Sequence, residues 1–214
     1  MTKQYDRDYF DKWYRSRSHR VHELGDVRRK VSLAVATAEY FLRRPIDDVL
    51  DVGCGEGAWY THLRVLRRRA RYTGIDSSDY AVEKFGRERN ISKGTLGDLR
   101  SMEGAFDLVV CSDVLHYISE RELQRGLQHL ERLTEGIAFI EVLTSEDEIV
   151  GDIEGLIRRP AAWYRQLLAG AGFMQAGAYC WLPMQLHDMA AELERVEDRR
   201  GRLSSTRSGR ALRE

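Results

Sequence analysis

Val49-Leu50-Asp51-Val52-Gly53-Cys54-Gly55-Glu56-Gly57 is a short apolar run that breaks into alternate glycines. A run of this length, bounded by glycine, reads as a buried strand entering a tight turn. Glycine there admits backbone conformations closed to other residues and lets a ligand approach the main chain without a Cβ in the way. Loops of this kind follow the first strand of doubly wound α/β sheets, which bind ligands at the carboxyl ends of their strands. The loop alone is ambiguous, because Gly53, Gly55 and Ala58 also satisfy the looser G-x-G-x-x-A pattern of dinucleotide-binding proteins.

Reading outward, strands and helices alternate. Upstream, Tyr5, Tyr9 and Trp13 follow helical spacing, and Val27, Val31, Val35, Ala38 and Leu42 mark one face of a second helix closed by Pro45. Downstream, helices are predicted over 57–69 and 78–89, and strands at 72–75 and weakly at 93–96. Residues 105–111 and 136–143 are the clearest later strands, separated by a helix that Ser119 and Glu122 open as a capping box. Pro160 and the pair Gly170 and Gly172 bracket another helix. These alternations predict a doubly wound, mostly parallel Rossmann-like sheet flanked by helices. Only one convincing strand, 173–182, follows the last helix before Pro183 and a helix-like stretch at 185–196, so either the last strand is very short or the terminal hairpin is truncated. The expected organisation is a helical cap or lid over 1–44, a core over 45–183, and a C-terminal helix with a disordered, arginine-rich tail over 184–214.

Three carboxylates decide between the ligands that a glycine loop can serve. Asp51 precedes the first glycine by two residues; it would repel a pyrophosphate and attract an ammonium or a sulfonium. Asp76 ends the second strand, where an acid can accept both hydroxyls of a ribose. Asp98 and Leu99 follow the third, offering a carboxylate to the amino hydrogens of an adenine and an apolar contact with a backbone amide. VLDVGCGEG (49–57), YTGIDSS (72–78), GTLGDL (94–99) and FDLVVCSDVLHYI (106–118) together resemble the class I S-adenosylmethionine-dependent methyltransferase family. The resemblance covers roughly residues 30–182. It implies S-adenosylmethionine as cofactor and S-adenosylhomocysteine as product. It further implies that Asp51, Gly53 and Gly55 surround the methionine part, with Cys54 of the same loop also cofactor-binding and Ser112 and Asp113 as cofactor neighbours. Asp76 then holds the ribose, Ser77 lies beside the adenine, and Asp98 and Leu99 bind it.

Methyl transfer demands proximity more than any fixed catalytic set, so candidates for acceptor chemistry are few. His116, after the strand ending at Cys111, is the candidate general base; with Tyr117, Trp59 and Tyr14 it is also a candidate acceptor contact. Tyr9, Trp13 and Tyr14 suggest a lid over the site. No spacing of His, Cys, Asp and Glu suggests a metal. The 34 basic and 34 acidic residues balance, which weakens a polyanionic partner, and no apolar run approaches the roughly 20 residues of a membrane span. Three scattered cysteines without C-x-x-C spacing read as buried thiols in a reducing, cytoplasmic setting. A small-molecule acceptor is expected, and an exposed sheet edge would need cover from the C-terminal helix or from a second subunit in a homodimer. The alternatives are a protein or nucleic-acid acceptor, a nicotinamide-dependent dehydrogenase, or a non-catalytic nucleotide-binding protein. The absence of an N/D-P-P-Y segment at 112–115 argues against methylation of base amino groups.

Overall fold

In the computed structural model, residues 5–15, 24–148 and 152–191 are described. They form one seven-stranded sheet in the order β3-β2-β1-β4-β5-β7-β6. The strands are β1 (Asp48–Val52), β2 (Arg71–Asp76), β3 (Ile91–Lys93), β4 (Phe106–Ser112), β5 (Thr134–Glu141), β6 (Met174–Gly177) and β7 (Cys180–Leu182). The first five pair in parallel, whereas β7 runs antiparallel to both β5 and β6. Strand order reverses beside β1, between β2 and β4, which opens a crevice at their carboxyl ends.

The central strands are buried on both faces, so alternate residues feed two cores. On one face Val49, Leu108, Val110 and Phe139 meet α2 (Leu24–Leu42) and α3 (Ala58–Leu66), through Val31, Val35, Ala38, Trp59 and Leu63. On the other, Leu50, Val52, Val109, Cys111 and Ile140 meet α5 (Glu120–Leu133) and α6 (Ala161–Gly170). The remaining helices are α1 (Arg7–Phe10), which runs on into a π-helical turn (Asp11–Arg15), α4 (Asp79–Arg89) and α7 (His187–Ala191). At the sheet's other end Asp107 accepts both Nη atoms of Arg44 at 2.7 and 2.9 Å and the amides of Asp47 and Asp48. Burial raises the Asp107 carboxyl, but Arg44 and these amides outweigh it and hold it below the ordinary range. The clamp fixes where β1 starts relative to β4.

The structure corrects the terminal hairpin. Residues 173–182 are not one strand but two, folded back at Ala178-Tyr179, with Gly177 paired to Cys180. Both turn residues have positive φ, 46° and 67°, as a two-residue turn that matches strand twist requires. The sheet therefore carries its full complement of end strands. The Ser119–Glu122 capping box also does not form. Ser119 makes no side-chain cap, and Glu122 is directed instead to the crevice described below. Cys54, Cys111 and Cys180 are buried and free. The basic tail and the stretch beyond Ala191 lie outside the described residues, as does the side chain of Tyr14.

Candidate functional site

A cavity of about 270 Å³ lies at the carboxyl ends of β1, β2 and β4. Val52, Gly53 and Gly55 form one wall, and Asp76 and Ser77 from the end of β2 form the next. Gly94, Thr95 and Leu96 follow β3; Asp113, Val114, Tyr117 and Ile118 follow β4; Glu122 comes from α5. Tyr5, Tyr9 and Phe10 of the N-terminal segment complete it.

The glycine loop is tightly held by the protein itself. Gly53 N and Cys54 N both donate to Ile75 O, at 2.8 and 3.1 Å. Gly55 N donates to Asp76 Oδ2 at 2.7 Å, and Gly57 N to Cys54 O at 2.8 Å. Gly53 has φ of 72°, and a Cβ there would stand 2.3 Å from Val114 Cγ2, so the turn admits only glycine. A Cβ on Gly55 would stand 3.1 Å from the ring of Phe10, which closes the loop from outside. Phe10 is itself buried and lies 5.6 Å from the Tyr80 ring. The N-terminal cover is anchored further by Ser78 Oγ, which donates to Tyr5 O.

Asp76 is the organising carboxylate. Its Oδ1 accepts Ser78 N at 2.8 Å while its Oδ2 holds Gly55 N, so one group ties the loop to the start of α4. Each oxygen keeps further lone-pair capacity toward the cavity. Burial raises its carboxyl, and the amides of Ser78, Gly55 and Ser77 oppose that rise.

Of the site residues named from sequence, Tyr9, Gly53, Gly55, Asp76, Ser77, Asp113 and Tyr117 line the cavity. The others with described side chains do not. Asp51 lies beneath the loop, 2% exposed, with Oδ2 accepting the Tyr72 hydroxyl at 2.7 Å. Cys54 packs into the core below it. Asp98 caps its own turn, accepting Thr95 N and Thr95 Oγ1, each at 2.8 Å, which holds its carboxyl below the ordinary range. Leu99 is buried in the α5 core. β3 ends at Lys93, three residues before the expected strand end at 96, so Thr95 and Leu96 occupy the position expected of Asp98 and Leu99. Ser112 Oγ donates to Glu141 at 2.6 Å. Trp59 stacks 4.9 Å from Phe139 in the core. His116 is 1% exposed, and its Nδ1 accepts Leu143 N at 3.3 Å, bracing the turn after β4 against the loop after β5. Tyr117 alone of that pair turns to the cavity, where its hydroxyl donates to Asp152 O at 3.0 Å. Burial pushes that phenol well up, with Asp152 adding to the rise. Tyr5, Phe10, Thr95, Leu96, Val114, Ile118 and Glu122 were not foreseen. Counting from the end of β3 would have found Thr95 and Leu96.

Comparison with known proteins agrees with this geometry. Residues 49–135 match the family model of a methyltransferase domain. This stretch spans β1, the glycine loop and everything through α5. Residues 49–135 carry a methyltransferase domain, within a sheet of the class I order. Trans-aconitate 2-methyltransferase of Deinococcus radiodurans is 30% identical over 108 residues, 49% of this chain and 41% of that protein. The chain thus matches less than half the length of that relative. A solved S-adenosylmethionine-dependent methyltransferase from Clostridium acetobutylicum shares the fold with a TM-score of 0.60 and 14% identity, covering 79% of this chain and 88% of that one. The plantazolicin methyltransferase BamL, solved with a triazolic desmethylPZN analog and SAH, gives 0.55 and 17%, over 70% and 65% of the two chains.

In this methyltransferase domain, the buried Asp51 makes stability depend on pH. Burial pushes its carboxyl up to about 7, the Tyr72 hydroxyl opposes the rise, and the neighbouring Asp76 adds to it. A carboxyl raised in the folded state binds its proton more tightly there than in the unfolded chain. Its contribution to stability is therefore full below about pH 4, declines as pH rises toward about 7, and is flat above. Urea unfolding of the protein and of Asp51→Asn at pH 5 and pH 8 checks this. The wild type is expected to lose about 2–3 kcal/mol relative to the variant between those pH values. Parallel behaviour of the two would show Asp51 ionised throughout.

Proposed function

We propose that the protein is an S-adenosylmethionine-dependent methyltransferase acting on a small molecule. The observation that carries the cofactor reading is the fate of the loop amides. A pyrophosphate-binding loop must point its N–H groups at the ligand. Here those of Gly53, Cys54, Gly55 and Gly57 are spent on Ile75, Asp76 and Cys54. The charged residues lining the cavity are Asp76, Asp113 and Glu122, with no Lys or Arg among the described lining residues. That lining suits a sulfonium and an ammonium and opposes a dinucleotide's phosphates.

When bound, the cofactor supplies an electrophilic methyl group, and the chain's own task is to position and enclose. Asp76 accepts the ribose hydroxyls. Leu96 and Ile118 offer apolar contact to the adenine and Thr95 a neutral edge, while Ser77 sits between the two. Tyr5, Tyr9 and Phe10 cover the site and exclude water, a roof suited to an acceptor small enough to lie beneath it. Asp113 and Tyr117, after β4, face the acceptor end. The named substrates of trans-aconitate 2-methyltransferase and of the plantazolicin enzyme support a small-molecule acceptor without identifying it.

The test is transfer of labelled methyl from S-adenosylmethionine into a cell extract separated by size. Label is expected in the low-mass fraction. Label confined to protein or nucleic acid would overturn the acceptor class and leave the cofactor reading intact.

A further inference from the structure

At the edge of the sheet where β1 and β2 begin, away from the cofactor cavity, lies an open groove of about 410 Å³. Its cations are Arg64 of α3, Arg71 at the start of β2, and Arg87 and Arg89 at the end of α4. Its carboxylates, among the described lining residues, are Asp48 and Glu88, leaving two positive charges in excess. Asp48 is fully engaged, with Arg71 Nε at 2.6 Å from one oxygen and Arg71 Nη2 on the other. Glu88 is 70% exposed and stands 3.9 Å from Arg89 Nε.

The donors are not exhausted by the protein. Arg87 makes no hydrogen bond or ion pair with the described residues. Arg64 uses one nitrogen on Arg68 O. Arg89 donates through Nη1 to Glu56 O, while its buried Nε has no hydrogen-bond partner among the described residues. Tyr60 and Tyr72, their rings 5.3 Å apart edge to face, also line the groove. Aromatic walls lower the local dielectric and strengthen the field of cations beside them. Several guanidinium forks around one apolar wall, with too few carboxylates to neutralise them, match the fixed donor geometry that phosphate oxygens accept.

We propose that this groove binds a phosphate-type oxyanion, carried by a small soluble phosphate monoester. It is a second site, independent of the methyltransferase reading. Calorimetric titration of the whole protein with inorganic phosphate and with glycerol 3-phosphate, in low-salt buffer without phosphate, tests it. Both are expected to bind, and the double variant Arg64→Gln/Arg87→Gln to weaken them at least about ten-fold. Neither residue lines the cofactor cavity, so S-adenosylhomocysteine affinity in the variant should equal that of the wild type. Arg87→Gln alone, on an exposed helix end, should show the same direction if the double variant unfolds. No binding of either probe up to about 10 mM, or equal affinity in wild type and variants, would overturn the proposal. So would arginine-dependent binding to phosphatidylglycerol vesicles without binding of the soluble probes, which would assign the groove to a membrane surface.

Discussion

Asp76→Ala is expected to weaken S-adenosylhomocysteine binding by about two orders of magnitude or more. The carboxylate holds Gly55 N at 2.7 Å and Ser78 N at 2.8 Å, and it is only 8% exposed. Hydrogen bonds to a charged group contribute about 1.5–3 kcal/mol each, and the proposed bonds to ribose hydroxyls are of that kind. Alanine removes those acceptors and also releases the glycine loop from the end of β2. Asp76→Asn keeps one oxygen and should therefore lose about ten-fold, with more of the fold's stability retained. Calorimetry with urea unfolding on the same samples separates ligand contact from loop collapse. A folded Asp76→Ala protein with undiminished affinity would remove the ribose from β2.

Gly53→Ala should be among the most damaging single-methyl changes in the chain. The new Cβ would lie 2.3 Å from Val114 Cγ2 and 3.2 Å from Cγ1, at a φ of 72°. Overpacking costs about 1–3 kcal/mol and the left-handed conformation about 1–2 kcal/mol for a residue with a Cβ. The combined loss of about 2–5 kcal/mol should appear in urea unfolding, together with weakened cofactor binding, because Val52, Gly53 and Val114 all line the cavity. The double variant Gly53→Ala/Val114→Ala relieves the clash but not the backbone strain. It should recover part of the affinity, even though Val114→Ala alone leaves a small void. Stability equal to the wild type in the single variant would mean that the loop and the turn after β4 are not in contact.

The fold was legible because buried parallel strands write themselves as continuous apolar runs, as at 49–52 and 106–111, and because glycines mark where β1 ends. The hairpin was not, since Ala178-Tyr179 takes up a conformation that sequence normally announces with Asn-Gly. Backbone bonding and burial of Cys180, Trp181 and Leu182 override that local preference. In the site, Gly53, Gly55, Asp76 and Ser77 were readable because they sit directly at strand ends. Asp98 was misplaced because a carboxylate draws attention that Thr95 does not, and the short turn at Leu96–Ser101 uses that carboxylate as its cap. His116 and Tyr117 are neighbours on a single 3₁₀ turn, so one faces the core and the other the cavity. No periodicity in three residues could have told which.

The glycine loop is built from amides turned inward and walls that carry carboxylates, which should suit a sulfonium nucleoside and oppose a dinucleotide. Parallel calorimetric titrations with S-adenosylhomocysteine and with NADH put this to the most direct test. Saturable binding of S-adenosylhomocysteine, with none of NADH, is the predicted result. Tight binding of NADH with none of S-adenosylhomocysteine would contradict it.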